Sequence, residues 1–211
     1  MIIHDLELIY IHIPKTGGST MGVAFEFDLN PHIPIDDPFN TIKVEYECET
    51  HLPAALLQNS FPKEYNRYYK VCFVRNTWDY ILSTYLWLKE TYKFEYDFNT
   101  WIKEGFPETP EREMNIFIKP CQLDWITDKN GEIIVDFIGR FDKFQKDLNK
   151  ICKKIGKSSF KAPVINSTKH RHYSCYYNEE SKQIITDLYK RDIEYFGFKY
   201  KKDIFSIIKT K

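Results

Sequence analysis

At 211 residues and 25.3 kDa the chain sits a little above the usual size of one domain, so a single domain over 1–211 is expected. At this length roughly 70% of the unfolded surface can be buried without help from disulfides or metal. Thirty Lys plus Arg balance thirty Asp plus Glu, which excludes a coat for nucleic acid or an anionic membrane and makes any anion site a local one. A content of 43% hydrophobic and 28% charged residues excludes a disordered chain.

The five cysteines are odd in number and form no C-x-x-C pair, so neither a zinc module nor a disulfide framework is indicated and no metal is expected. A reducing, cytoplasmic compartment fits that usage. The opening MIIHDLELIYIHI interrupts its apolar residues with His4, Asp5 and Glu7 and carries no basic leader, which reads as a first strand and not a signal peptide. No stretch approaches the ~20 apolar residues of a membrane helix.

In chain order, residues 6–13 are β-branched and apolar and stop at Pro14, predicting a strand that runs into a loop. A helix is expected from Thr20. The segment 28–40 holds three prolines within eight residues and is expected to be irregular. Val44, Tyr46 and Cys48 alternate with glutamates, the pattern of a strand with one wet face, and the apolar run 71–74 suits a strand buried on both faces of a parallel sheet. Asn76 is a good N-cap with Asp79 at N3, and Trp78, Ile81, Leu82, Tyr85 and Lys89 follow helical spacing, with Ser83 off that stripe. Residues 133–141 read as another strand. A helix from about Asp142 would turn Phe144, Leu148, Ile151 and Ile155 inward. A last helix after Asn178 would bury Ile184, Ile185 and Leu188 and stop at Gly197. This alternation predicts an α/β class with a mostly parallel central sheet.

The segment IYIHIPKTGGST carries the most chemistry. A strand that enters a helix through adjacent glycines makes an anion cradle: Gly17 and Gly18 let backbone N–H groups approach an oxyanion, the helix N-terminus adds partial positive charge, and Lys15 supplies a full one. Thr16, Ser19 and Thr20 add hydroxyls. The loop is not a Walker A motif, because its lysine precedes the glycines. A tight turn with one exposed lysine is the plainer alternative.

The pattern P-K-T-G-G-[ST]-[ST] after a first strand resembles the 5′-phosphosulfate loop of sulfotransferases that use 3′-phosphoadenosine 5′-phosphosulfate (PAPS), especially the carbohydrate-type branch. VCFVRNTWDYILSTY at 71–85 resembles that family's 3′-phosphate block, V-R-N-P-W-D-R followed by a helical serine. It implies phosphate contacts from Arg75, as a bidentate fork, and from Ser83. Thr77 stands where the family has proline and Tyr80 where it has a second arginine. ETHLPAALL at 49–57 resembles the K-T-H-L-P segment of cytosolic sulfotransferases, which implies that His51 is the catalytic base, although Glu49 replaces the lysine. A structural histidine is the other reading. Segments 135–148, 166–177 and 192–200 resemble further landmarks of the carbohydrate branch, so the likeness spans nearly the whole chain.

The resemblance implies a P-loop-like three-layer α/β/α fold and transfer of a sulfuryl group from PAPS to a hydroxyl of a carbohydrate or other small acceptor. Lys15, Thr16, Gly17, Gly18, Ser19 and Thr20 would hold the 5′-phosphosulfate, with Lys15 also stabilising the leaving oxygen. Neither nucleic acid nor membrane is expected as a partner. Two alternatives are a P-loop-like small-molecule kinase, which would need Mg²⁺ ligands and a lysine later in the loop, and a non-catalytic nucleotide-binding module. Lys169 and Arg171 can reach a nucleotide or simply face solvent, Arg140 and Asp142 can pair across a strand end, and Asn166 to Thr168 match a glycosylation sequon. Residues 28–40 and 91–121 are expected to wall the acceptor pocket. Their aromatics and a neighbour, among them Trp87, Tyr92, Phe94, Tyr96 and Trp101, can stack on a sugar or fill a core.

Overall fold

A computed structural model describes residues 1–25, 51–162 and 170–203. The expected strand around Val44 to Cys48, the irregular stretch 28–40, the sequon and Lys169 lie outside the described residues. In chain order the elements are β1 (Ile2–Ile3), β2 (Leu8–Ile11), α1 (Gly18–Ala24), α2 (Ala54–Ser60), α3 (Pro62–Arg67), β3 (Tyr69–Val74), α4 (Thr77–Tyr92), α5 (Phe98–Lys103), α6 (Glu111–Glu113), β4 (Phe137–Arg140), α7 (Phe144–Lys154), α8 (Glu179–Leu188) and α9 (Lys190–Phe196). The strands lie in the order β1-β2-β3-β4. β1 is antiparallel to β2, and the other two pairings are parallel, with Tyr10 opposite Val71 and Val71 opposite Phe137. The class is therefore α/β with a mostly parallel sheet.

Two compact units emerge, each from two chain segments: Met1–Val74 with Asp124–Asn166, and Arg75–Leu123 with Ser167–Lys211. The first unit contains the sheet. Every residue of β2 and the last four of β3 are buried, as an apolar run covered on both faces requires. On one face Leu8, Tyr10, Val71 and Phe73 pack with Met21 and Phe25 and with Leu148, Ile151 and Cys152 of α7. Phe144 and Ile155 border that core, so the expected inner face of α7 is present. Phe73 reaches across β4 because residue 139 is glycine: a Cβ there would lie 2.6 Å from its ring. The ring then stacks on Phe144 at 4.3 Å.

Several sequence expectations shift, and the strand expected over 6–13 shrinks to Leu8–Ile11. α1 opens at Gly18, two residues early, since the Met21 N–H already donates to the Gly17 carbonyl. The strand expected over 133–141 shrinks to four residues. Ile133 makes only an isolated bridge to Thr127, because the Asp128 carboxylate accepts the N–H groups of Asn130 and Glu132 and closes a small hairpin there. In the second unit the C-terminal helix breaks in two at Tyr189, whose φ of −109° and ψ of 28° leave the helical region. Tyr189 takes the inward position and Leu188 is left 46% exposed. Ile184, also expected inside, is only half-buried, whereas Ile185 is fully buried, the helix begins after Asn178 with a capping box to Ser181, and Gly197 ends α9 in the left-handed conformation.

The second unit is built around α4, whose Trp78, Ile81, Leu82 and Tyr85 are buried as the stripe predicts. Its N-terminus departs from expectation. Asn76 occupies the N-cap position without capping, and its Nδ2 donates to the Lys199 carbonyl instead. The Asp79 carboxylate at N3 accepts from Arg75 Nε at 2.7 Å.

Candidate active site

The loop after β2 is shaped by what lies under it. Its backbone is left-handed at Lys15 (φ 59°) and Gly17 (φ 102°). Left-handed residues inside a tight turn are how backbone N–H groups come to converge on one side, and for lysine the conformation carries strain of the kind found at binding sites. Thr16 is fully buried and its hydroxyl donates to the Ile13 carbonyl at 2.7 Å, pinning the turn. That hydroxyl, expected as a ligand donor, serves the loop itself. Ser19 and Thr20 sit half-buried in the first turn of α1.

Both glycines are required by close packing, and Gly17 by its left-handed backbone as well. A Cβ on Gly17 would stand 2.6 Å from Phe144 and 3.4 Å from Phe141. A Cβ on Gly18 would stand 1.8 Å from His12 Nε2, so the imidazole fills the space a side chain would occupy. The floor of the loop is thus aromatic, and it connects through Phe144 and Phe73 to the core of the sheet.

His12 joins the loop to His51. The two rings are 4.1 Å apart, tilted by 42°, and His51 Nδ1 lies 2.9 Å from the His12 backbone oxygen. A carbonyl only accepts, so neutral His51 carries its proton on Nδ1 and its lone pair on Nε2, the tautomer a general base needs. Trp125 meets His51 edge to face at 6.3 Å. The sequence reading missed both neighbours: His12 looked like one more strand residue, and nothing near Trp125 pointed to a site.

In the second unit Arg75 follows directly on β3 and is 9% exposed. Its backbone N–H donates to Gln122 Oε1 and its carbonyl accepts from Gln122 Nε2, both at 2.8 Å. With Nε held by Asp79, the guanidinium is oriented by a carboxylate one turn into α4. Ser83 lies further along α4, half-buried. Tyr80 is buried, its hydroxyl donating to the Phe117 carbonyl at 3.0 Å, so the position that resembles a second cationic contact belongs here to the core.

The other expected residues are more ordinary. Arg140 Nε is 3.6 Å from Asp142, the pairing expected at the strand end, and Arg171 is exposed. Phe94 and Trp101 are core residues of the second unit, and Trp87 lies against Phe117 at 4.8 Å. Tyr92 is exposed and its hydroxyl donates to the buried Glu113 at 2.8 Å. Tyr96 lends its carbonyl to Tyr85 and Lys89. Among the described residues no cluster of three or more His, Cys, Asp or Glu side chains is arranged to hold a metal ion, and no helix is long and apolar enough to cross a membrane.

Residues 1–199 match the model of the sulfotransferase family, and the chain belongs to that family. It is also similar to an uncharacterised protein of Archaeoglobus fulgidus, with 32% identity over 108 residues that make up 50% of this chain and 82% of the relative. No solved structure matches.

Proposed function

We propose that the protein is a PAPS-dependent sulfotransferase acting on a hydroxyl of a carbohydrate or other small acceptor, within one P-loop-like three-layer α/β/α domain in the cytoplasm. The observation that carries this reading is the P-K-T-G-G-S-T turn with its left-handed Lys15 and Gly17, next to a histidine whose proton is fixed on Nδ1 by the backbone of the same loop. In this reading the N–H groups of residues 16–20 and the Lys15 ammonium hold the 5′-phosphosulfate. Thr16 contributes through its backbone, while Ser19 and Thr20 add hydroxyls. Arg75 and Ser83 hold the 3′-phosphate, the group that separates PAPS from ATP.

The acceptor oxygen attacks sulfur, its proton passes to His51 Nε2, and the bond from sulfur to the bridging oxygen breaks with its electron pair on the departing phosphate. Lys15 stabilises that growing charge, and most of the acceleration comes from positioning and electrostatics. His51→Ala should bind adenosine 3′,5′-bisphosphate as the parent does while sulfuryl transfer from labelled PAPS falls by about 10²–10⁴-fold, the usual contribution of a general base. Transfer at the full rate in His51→Ala would remove His51 from the mechanism.

A further inference from the structure

We propose that Gln122 and Asp192 are positioning residues that set Arg75 for recognition of the 3′-phosphate, an inference that rests on the functional reading above. Arg75 lies one residue beyond the end of β3. The Gln122 side-chain amide takes both of its backbone groups, accepting from the N–H and donating to the carbonyl, as a neighbouring strand would. Gln122 is itself 1% exposed, and its backbone is fixed in turn. The Asp192 carboxylate, fully buried in α9, accepts the N–H of Gln122 at 2.7 Å and that of Leu123 at 3.0 Å.

Asp192, Gln122 and the Arg75 backbone thus form one continuous buried relay, and Asp79 fixes the guanidinium at its far end. A side-chain amide that satisfies both backbone groups of one residue leaves that residue little freedom to pivot. Burial makes each link costly to break, since a donor or acceptor that loses its partner away from water is left unsatisfied. The relay also gives a physical reason for an aspartate at the head of DIEYFGF.

The test compares dissociation constants for adenosine 3′,5′-bisphosphate and for AMP, which lacks the 3′-phosphate, in the parent and in Gln122→Ala, Gln122→Met and Asp192→Asn. A loss of general stability weakens both ligands alike; misplacing Arg75 weakens the bisphosphate alone. The parent should prefer the bisphosphate, and Gln122→Met, which keeps the volume and removes both hydrogen bonds, should cut that preference by about tenfold with AMP affinity unchanged. Asp192→Asn should lower the preference in the same direction by a smaller factor. Retention of the full preference in both Gln122 variants, or equal weakening of both ligands, would overturn the relay while leaving the functional reading intact. Absence of any preference in the parent would overturn the functional reading itself and the relay with it. Should Gln122→Ala not fold, Gln122→Met and Asp192→Asn decide the matter alone.

Discussion

Gly18 carries a double constraint: it opens α1, and it leaves room for an imidazole where any side chain would place an atom. With His12 Nε2 1.8 Å from the position of a Cβ, Gly18→Ala cannot be absorbed by a small adjustment, and the ring must move. Moving it disturbs the backbone that holds His51. The substitution should therefore cost about 1–3 kcal/mol in denaturant unfolding, the range for overpacking a tight site. It should also lower transfer more than it lowers bisphosphate affinity. A Gly18→Ala protein as stable and as active as the parent would mean that His12 does not pack there. The need for two small residues was legible in the sequence, but only through the backbone geometry of an anion loop. That a histidine three residues after Ile9 would fold over the second glycine depends on tertiary packing and has no signature in spacing. The same holds for Gln122, whose partner lies 47 residues away.

Helices in this protein end and begin where side chains compete for backbone groups. α5 is the clearest case: Asp97 accepts from the Thr100 hydroxyl and from the N–H groups of Thr100 and Asn99, and these bonds hold its carboxyl below the usual range. A carboxyl depressed by folding adds stability above its unfolded pKa, and the gain fades as pH falls through the folded value. Asp97→Ala should thus cost about 1 kcal/mol near neutrality. The difference in Tm between parent and variant should shrink below about pH 4. A penalty that stays constant with pH would show that the charged cap is not its source. Asn76 illustrates the opposite outcome. The residue type and its place before α4 predict a cap, yet its amide is drawn to the Lys199 carbonyl and Asp79 is taken by Arg75. Strands and helices with strong periodicity were readable along the chain. Their ends were not, because Asp128, Gly17 and Tyr189 divert the backbone through local bonds that a pattern of apolar residues does not record.

Across the whole molecule, thirty basic residues balance thirty acidic ones, so a polyanionic cofactor must find its positive charge locally. The proposal assigns that charge to Lys15 and Arg75. Family membership was legible because the loop, the arginine block and the histidine each sit in a short contiguous stretch. The acceptor was not, since its expected walls fall partly on residues 28–40 and partly on aromatics such as Trp101 and Phe94 that turn out to be core. The central claim is that the protein distinguishes a nucleotide by its 3′-phosphate, and the most direct test is the unfolding temperature with adenosine 3′,5′-bisphosphate against that with AMP. A ligand at a hundred times its Kd adds about 2.7 kcal/mol. At ~2–4 °C per kcal/mol for a chain of this size, that is a rise of roughly 5–10 °C. The account predicts that rise for the bisphosphate, a smaller one for AMP at the same concentration, and loss of the difference in Arg75→Ala; equal shifts for the two ligands in the parent would contradict it.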